Sequence, residues 1–316
     1  MTAPSISLII CTRHRPVSLA RTLNTVARLQ VPPGGGEVLI VDGSDPGLAS
    51  TSHRVDPRPV PARGDGVNDT LDLRVIHRPG PGLGRARNVG VRSARGAICC
   101  FTDDDCLLGA DHLVQIVQAF AEHPIDFASG PVLAAMTSDP REALDPSDVF
   151  DYLAPGDRLA PGCVQGANLA LRRDMFESLG GFGEDLGAGT QFRCEDIDLC
   201  ARATSAGFRG AHLIKPVVWH DPRRTPREIR GWIRANDRAR GAFYVRQVLS
   251  GDLGYGPFWA RRARRRLGRR PSNVVRNAPR VLGELVGGAA HAAALGRERA
   301  RSNGSSNRQR GNSTNA

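Results

Sequence analysis

Short apolar runs alternate with stretches of helical spacing along the first part of the chain. Ser5–Cys11 (SISLIIC) predicts a strand, stopped by Thr12-Arg13-His14-Arg15-Pro16, and Ser18–Leu29 sets Leu19, Leu23, Val26 and Leu29 on one helical face. Glu37–Val41 predicts a second strand, ending at Asp42-Gly43-Ser44-Asp45. Residues 46–70 are rich in Pro, Gly, Asp and Arg without periodicity and read as a long surface loop. Leu73–His77 is a third strand, and Gly80-Pro81-Gly82-Leu83-Gly84 punctuates the chain before a helix over Arg85–Ala94. A fourth apolar run, Gly96–Thr102, leads straight into Asp103-Asp104-Asp105, with a helix over Ala110–Glu122 behind it. Strand and helix in regular alternation predict an α/β fold built on a doubly wound, mostly parallel sheet flanked by helices.

Beyond residue 125 the pattern loosens. Asp126–Ala135 reads as one strand, 137–162 as an irregular excursion, and Gly166–Arg172 as a strand leading to a helix over Arg173–Leu179. Glu195–Ala206 has helical spacing with Gly207 placed as a C-cap, and Val217–His220 is a last short strand. Pro226–Val248 is a long Arg-rich helix. These shifts divide the chain into a core over 1–222 (halves at about 1–108 and 109–222), an Arg-rich helical C-terminal extension over 223–301 and a disordered tail over 302–316.

The acidic triplet stands out chemically. An apolar run that ends in adjacent carboxylates places acid groups at the C-terminal edge of a parallel sheet, where open α/β folds bind ligands. Carboxylates so crowded repel one another, and a divalent cation is a common way to keep them charged together. A solvated acidic turn or a helix N-cap would use the same residues.

Composition changes this picture only slightly. A formal charge of +11 and a pI near 10.3 invite nucleic acid. Yet Lys215 is the lone lysine among 43 basic residues, and the densest run, 261–270, lies far along the chain from the acidic groups. No nucleic-acid partner is expected; a solvated face or peripheral contact with an anionic membrane accounts for that run. Seven cysteines, odd in number and without a CxxC pair, suit a reducing compartment. No signal peptide is evident and no run reaches the roughly 18–20 apolar residues of a spanning helix, Val281–Leu295 being broken by Glu284, His291 and glycines. A cytoplasmic protein is expected.

Read in order, ISLIICTRHRPVSLARTL, VLIVDGSD, GLGRARNVGVRSARGAICCFTDDDCLL, GANLALRRDMFESLGGFGEDLG, CEDIDLCARATSAGF and VVWH give the chain a resemblance to the family 2 glycosyltransferases of the GT-A fold. The resemblance implies transfer of a sugar from a nucleoside-diphosphate sugar, UDP-sugar being the first choice, to a glycan, lipid-linked or small-molecule acceptor. It implies that Thr12, Arg13 and Asp42 grip base and ribose, and that Arg85 or Arg87, with Asn88, meets the diphosphate. Asp105 would ligate Mn2+ or Mg2+, with Asp103 on the ribose or the metal, Asp104 toward the donor sugar, and His220 as a further metal ligand. Asp196 would be the general base of an inverting displacement, Glu195 would orient acceptor or base, and Gly166, Asn168 and Trp219 would face the acceptor. The second block, VDGSD, is one residue shorter than the family's frequent VDDGSTD, which touches the base contacts beyond Asp42. The QxxRW motif of polymer-forming relatives is missing from Arg230–Asn236, so one or a few sugars per acceptor are expected. Two other classes compete: a sugar-nucleotide nucleotidyltransferase, which would want a Gly-rich signature after the first strand, and a basic surface-binding protein on a degenerate transferase fold.

Overall fold

The structure, a computed structural model, describes residues 5–45, 60–61, 70–136, 139, 144, 149–268 and 271–312. Its centre is made of the uninterrupted apolar runs. β1 (Ile6–Thr12) pairs in parallel with β2 (Gly36–Asp42) on one side and with β5 (Ile98–Asp103) on the other. β2 pairs in parallel with β4 (Thr70–His77), whose start meets β3 (Val60–Pro61). Side chains of β1, β2 and β5 are buried on both faces, which is why these strands show no polar alternation. Glu37, an acid near the start of β2, is satisfied by the Ser7 hydroxyl (2.6 Å), the Arg95 amide (2.6 Å) and Arg74 (2.7 Å).

Helices cover this sheet. α1 (Pro16–Val26) opens with proline in its first turn and buries Leu19, Thr22 and Val26. α2 (Leu83–Ser93) lies directly on β1 because Gly90 has no Cβ to meet Ile9. α3 (His112–Glu122) buries Leu113, Ile116 and Phe120. The chain lays β2 and β4 on one side of β1 and then crosses to β5 on the other, so the C-terminal ends of β1 and β5 flank the switch point. There Cys11 is in register with Asp103.

The sheet continues past β5 through short strands of mixed direction: β10 (Leu169–Arg172), β7 (Phe127–Ser129), β11 (Gly210–His212) and β9 (Asp151–Leu153). A separate small sheet has the order β6 (Cys106–Leu108), β12 (Val218–His220), β8 (Val132–Ala134). The strand expected over Asp126–Ala135 is therefore two strands in two sheets. Pro131 lacks an N–H for a ladder, and Gly130 packs against the Asn168 amide and the Pro216 carbonyl, so the chain turns there. The strand expected from Gly166 starts only at Leu169, after a 3-10 turn over Gly166–Asn168. Of the expected loop over 46–70, residues 46–59 and 62–69 lie outside the described residues, as do 137–138, 140–143 and 145–148 of the expected excursion. α4 (Arg173–Ser178) and α5 (Glu195–Ser205) complete this part.

The chain forms two compact units, Met1–Ile229 and Arg230–Ala316. The second is helical, with α6 (Pro226–Leu249), α7 (Tyr255–Leu267) and α8 (Pro271–Asn312). α8 crosses most of the stretch expected as a tail, and 313–316 lie outside the described residues. Within this unit Phe243, Tyr244, Tyr255 and Phe258 form an aromatic cluster. α6 and α8 touch through glycines: a Cβ on Gly241 would overlap the Glu284 carbonyl, and one on Gly287 the Arg238 carbonyl. Gly241→Ala is accordingly expected to destabilise this unit by about 1–3 kcal/mol, the usual cost of overpacking, seen as a lowered Tm of the helical transition; an unchanged Tm would remove the close approach.

Candidate active site

The triplet sits where the switch point predicts. Asp103 closes β5 with its side chain 31% exposed, whereas Asp104 and Asp105 turn inward and are buried. The Thr12 hydroxyl, at the end of β1, donates to Asp104 Oδ2 at 2.7 Å. Arg15, in the turn before α1, donates one guanidinium nitrogen to Asp104 Oδ1 (2.6 Å) and the other to Asp105 Oδ2 (2.7 Å). His220, at the end of β12, places Nε2 3.6 Å from Asp105 Oδ1. Burial pushes the Asp104 carboxyl up to about 7, against the pull of Arg15 and the Thr12 bond. Burial acts the same way on Asp105, but His220 and Arg15 together outweigh it and hold that carboxyl well below the usual range.

Asp103, Asp105 and Cys106 bring possible ligand atoms within 4.8 Å of one another. Burial holds the Cys106 thiol protonated, its pKa well above the usual value, so the ionised donors are carboxylates. The two carboxylates are hard oxygen donors that fit Mg2+ or Mn2+, and the borderline imidazole close by suits Mn2+ better than Mg2+.

A second acidic group lies at the start of α5. Cys194 there adopts a left-handed conformation (φ 86°), turning the chain so that Glu195 and Asp196 open the helix. Arg87 of α2 joins the two groups: it donates to Glu195 Oε1 at 2.8 Å and to Asp103 Oδ1 at 3.1 Å. Its guanidinium lies 5.6 Å from the Phe101 ring and 5.7 Å from the Phe182 ring, and the residue is 2% exposed. Gly166 makes room for it, since a Cβ there would overlap the guanidinium. Asp196 stays partly exposed and accepts two main-chain bonds, from Gly166 N (2.7 Å) and Ile197 N (2.8 Å). Burial raises the pKa of both Glu195 and Asp196, with Arg87 opposing. Asp198, further along, pairs with Arg202 at 3.1 Å.

The remaining residues singled out in the sequence divide by geometry. Asp42 is buried at the end of β2 and accepts from Ser44 N at 2.8 Å, an Asx-turn. Arg13 donates to the Gly43 carbonyl and pairs with Asp45. Trp219 is partly exposed beside His220. Arg85 is exposed and pairs with Glu184 at 3.1 Å. Asn88 is occupied by both backbone groups of Phe182, and Asn168 by the carbonyls of Pro131 and Pro216. Arg15 is the member that sequence reading passed over. The available signal was an arginine just ahead of Pro16, one turn from a strand end that faces crowded acids.

The chain has relatives in sequence and in fold. In sequence, the chain is 27% identical over 209 residues to the glycosyltransferase AglE of Haloferax volcanii, covering 66% of this chain and 64% of that protein. It is 25% identical over 247 residues to the pre-mycofactocin glycosyltransferase of Mycobacterium tuberculosis, covering 76% of this chain and 46% of that protein. The chain thus spans about half to two thirds of the length of these curated relatives. In structure it is similar to the mannosyltransferase PcManGT of Pyrobaculum calidifontis in complex with GDP-Man and Mn2+ (TM-score 0.56, 19% identity, 93% of this chain and 76% of that one). S. aureus TarS 1–349 in complex with UDP-GlcNAc is similar too (TM-score 0.54, 17% identity, 77% and 72%). The α/β architecture is that of the GT-A fold. The family model for glycosyl transferase family 2 matches residues 7–180, more than half of the sequence and the whole span from β1 to the end of α4, and the chain belongs to that family.

Proposed function

We propose that this protein is an inverting, metal-dependent glycosyltransferase that moves one or a few sugars from a nucleoside-diphosphate sugar to an acceptor hydroxyl. The observation that carries the reading is the Asp103–Arg87–Glu195 bridge, which ties the triplet at the switch point to the carboxylates opening α5. One side of the bridge suits a diphosphate and the other an acceptor. Asp196 is the base: it is partly exposed, fixed by two N–H groups, and its pKa is raised by burial above the usual carboxylate value. It takes the acceptor proton as the hydroxyl oxygen bonds to the anomeric carbon, while the bond from that carbon to the diphosphate oxygen breaks and the nucleoside diphosphate departs. Direct displacement needs no enzyme nucleophile and inverts the centre. Asp105 and Asp103, with His220 behind Asp105, would hold the metal, and Mn2+ or Mg2+ held there would offset negative charge on the departing diphosphate. Thr12, Arg13 and Asp42 flank the base and ribose, and Trp219 faces the acceptor. Arg87 is engaged with carboxylates, which favours the exposed Arg85 as the contact to a diphosphate. GDP-Man in PcManGT and UDP-GlcNAc in TarS support a nucleotide-sugar donor, with UDP the first nucleotide to try.

Thermal unfolding with UDP, GDP, dTDP and CDP, each with and without Mn2+, tests the donor site. A ligand at about a hundred times its Kd adds roughly 2.7 kcal/mol to the folded state. Stabilisation by one nucleotide only with metal is expected, and a flat response to all four rejects the reading. Asp105→Ala is expected to weaken metal-dependent nucleotide binding by about tenfold or more, and affinity unchanged at equal Mn2+ would exclude Asp105 as a ligand.

A further inference from the structure

We infer that the C-terminal unit docks on the surface of an anionic lipid bilayer through one face of α8, a binding function separate from the sugar-transfer site. Charge is the first observation. Residues 230–316 hold 19 arginines against four carboxylates (Asp237, Asp252, Glu284 and Glu298), a formal +15 that leaves the rest of the chain at −4. Two of those four are buried and consumed internally: Asp237 by Arg240 and Arg280, Glu284 by Arg266 and the Trp259 indole. α7 has no acid at all and exposes Arg261, Arg262, Arg264 and Arg265.

The second observation is apolar. Val275 (78% exposed), Ala278, Leu282 (60%), Val286 (46%), Ala289 and Ala293 are all exposed. At 100° per residue they fall within about 80° of one another, a stripe roughly 27 Å long without a charged member. The packing face of α8 lies elsewhere, where Glu284, Gly287, Gly288 and His291 are buried. A lengthwise apolar stripe open to water calls for a partner.

The charge decides which partner. A second copy would bring +15 against +15. Nucleic acid would meet the arginines but leave the stripe in water. An anionic bilayer takes both, the stripe lying in the headgroup boundary and Arg276 and Arg297, exposed on α8 alongside it, meeting lipid phosphates. Among the described residues no helix is long and apolar enough to cross a membrane, so the helix lies on the surface.

Co-sedimentation of the full chain with vesicles of phosphatidylglycerol in phosphatidylcholine, against phosphatidylcholine alone, is the test. Wild type is expected to bind the anionic vesicles by about tenfold or more over the neutral ones and to be released by high salt. Leu282→Asp with Val286→Asp, and separately Arg276→Gln with Arg297→Gln, are each expected to lower binding by about tenfold. Leu282→Ser with Val286→Ser serves in place of the aspartates if circular dichroism shows those to unfold the unit. No preference for anionic vesicles, or stripe variants that bind like wild type, would overturn the assignment. A concentration-dependent dimer that the stripe variants abolish, with vesicles ignored, overturns it in favour of a second copy.

Discussion

Asp196→Asn is expected to cut kcat by about a thousandfold, within the range of general-base contributions, while the Kd for the donor nucleotide changes by less than about twofold. The asparagine keeps the size of the side chain and one acceptor oxygen, so one of the bonds from Gly166 N and Ile197 N survives. The other meets an NH2 group, a cost of about 1 kcal/mol in stability that a modest fall in Tm would reveal. Proton transfer is lost outright. The pH dependence separates a base from a positioning group. Burial holds the Asp196 carboxyl above its usual range, with Arg87 pulling the other way, so the active, ionised form disappears as pH falls through that raised value. The wild-type kcat/KM profile should therefore show an acid limb above the ordinary carboxylate range, and the residual activity of Asp196→Asn should lack it. Turnover close to wild type in the variant, or an unchanged acid limb, excludes Asp196 as the base.

Much of this site was written in local sequence. Apolar runs ending in polar residues marked β1, β2 and β5, because strands buried on both faces leave a continuous signal. The triplet and the Glu195-Asp196 pair were visible because acids at a strand end and a helix start are locally conspicuous. Three-residue strands such as β6, β9 and β11 were not, since they are too short for a period-two pattern to develop. Long-range partners were hidden for a different reason. Arg87 meets Glu195 across 108 positions and Arg15 meets Asp104 across 89, and no window of sequence holds both ends of such a pair. Gly166 was legible only as a small residue, and the guanidinium for which it clears space was not. Asn88 and Asn168 looked like polar ligands, whereas their amides bond to backbone that would otherwise be buried without partners.

Arg87→Met should cost the fold more than any other single change at the site, about 3–5 kcal/mol, because it strands carboxylates that one buried cation now holds. Methionine retains an unbranched stem between Phe101 and Phe182, so packing loss is small and the effect is electrostatic. Its pH dependence follows from the sign of the shift. Burial already raises the folded-state pKa of Glu195 above the unfolded value, and Arg87 is the chief influence opposing that rise. Without it the folded-state pKa climbs further. A carboxyl raised on folding contributes stability that is present below its unfolded pKa and lost as pH rises through the folded one. The deficit of Arg87→Met should therefore be smaller at about pH 5 than at about pH 8, by roughly 1 kcal/mol or more. Adding Glu195→Gln removes one of the stranded charges, so the double variant should regain part of the loss at high pH and less at low pH. Thermal unfolding of the single and double variants across that range measures both. A deficit that stays level with pH, or a double variant no more stable than Arg87→Met, would mean that Arg87 serves the fold by packing between its two aromatic rings, and the bridge between donor and acceptor sides would lose its electrostatic basis.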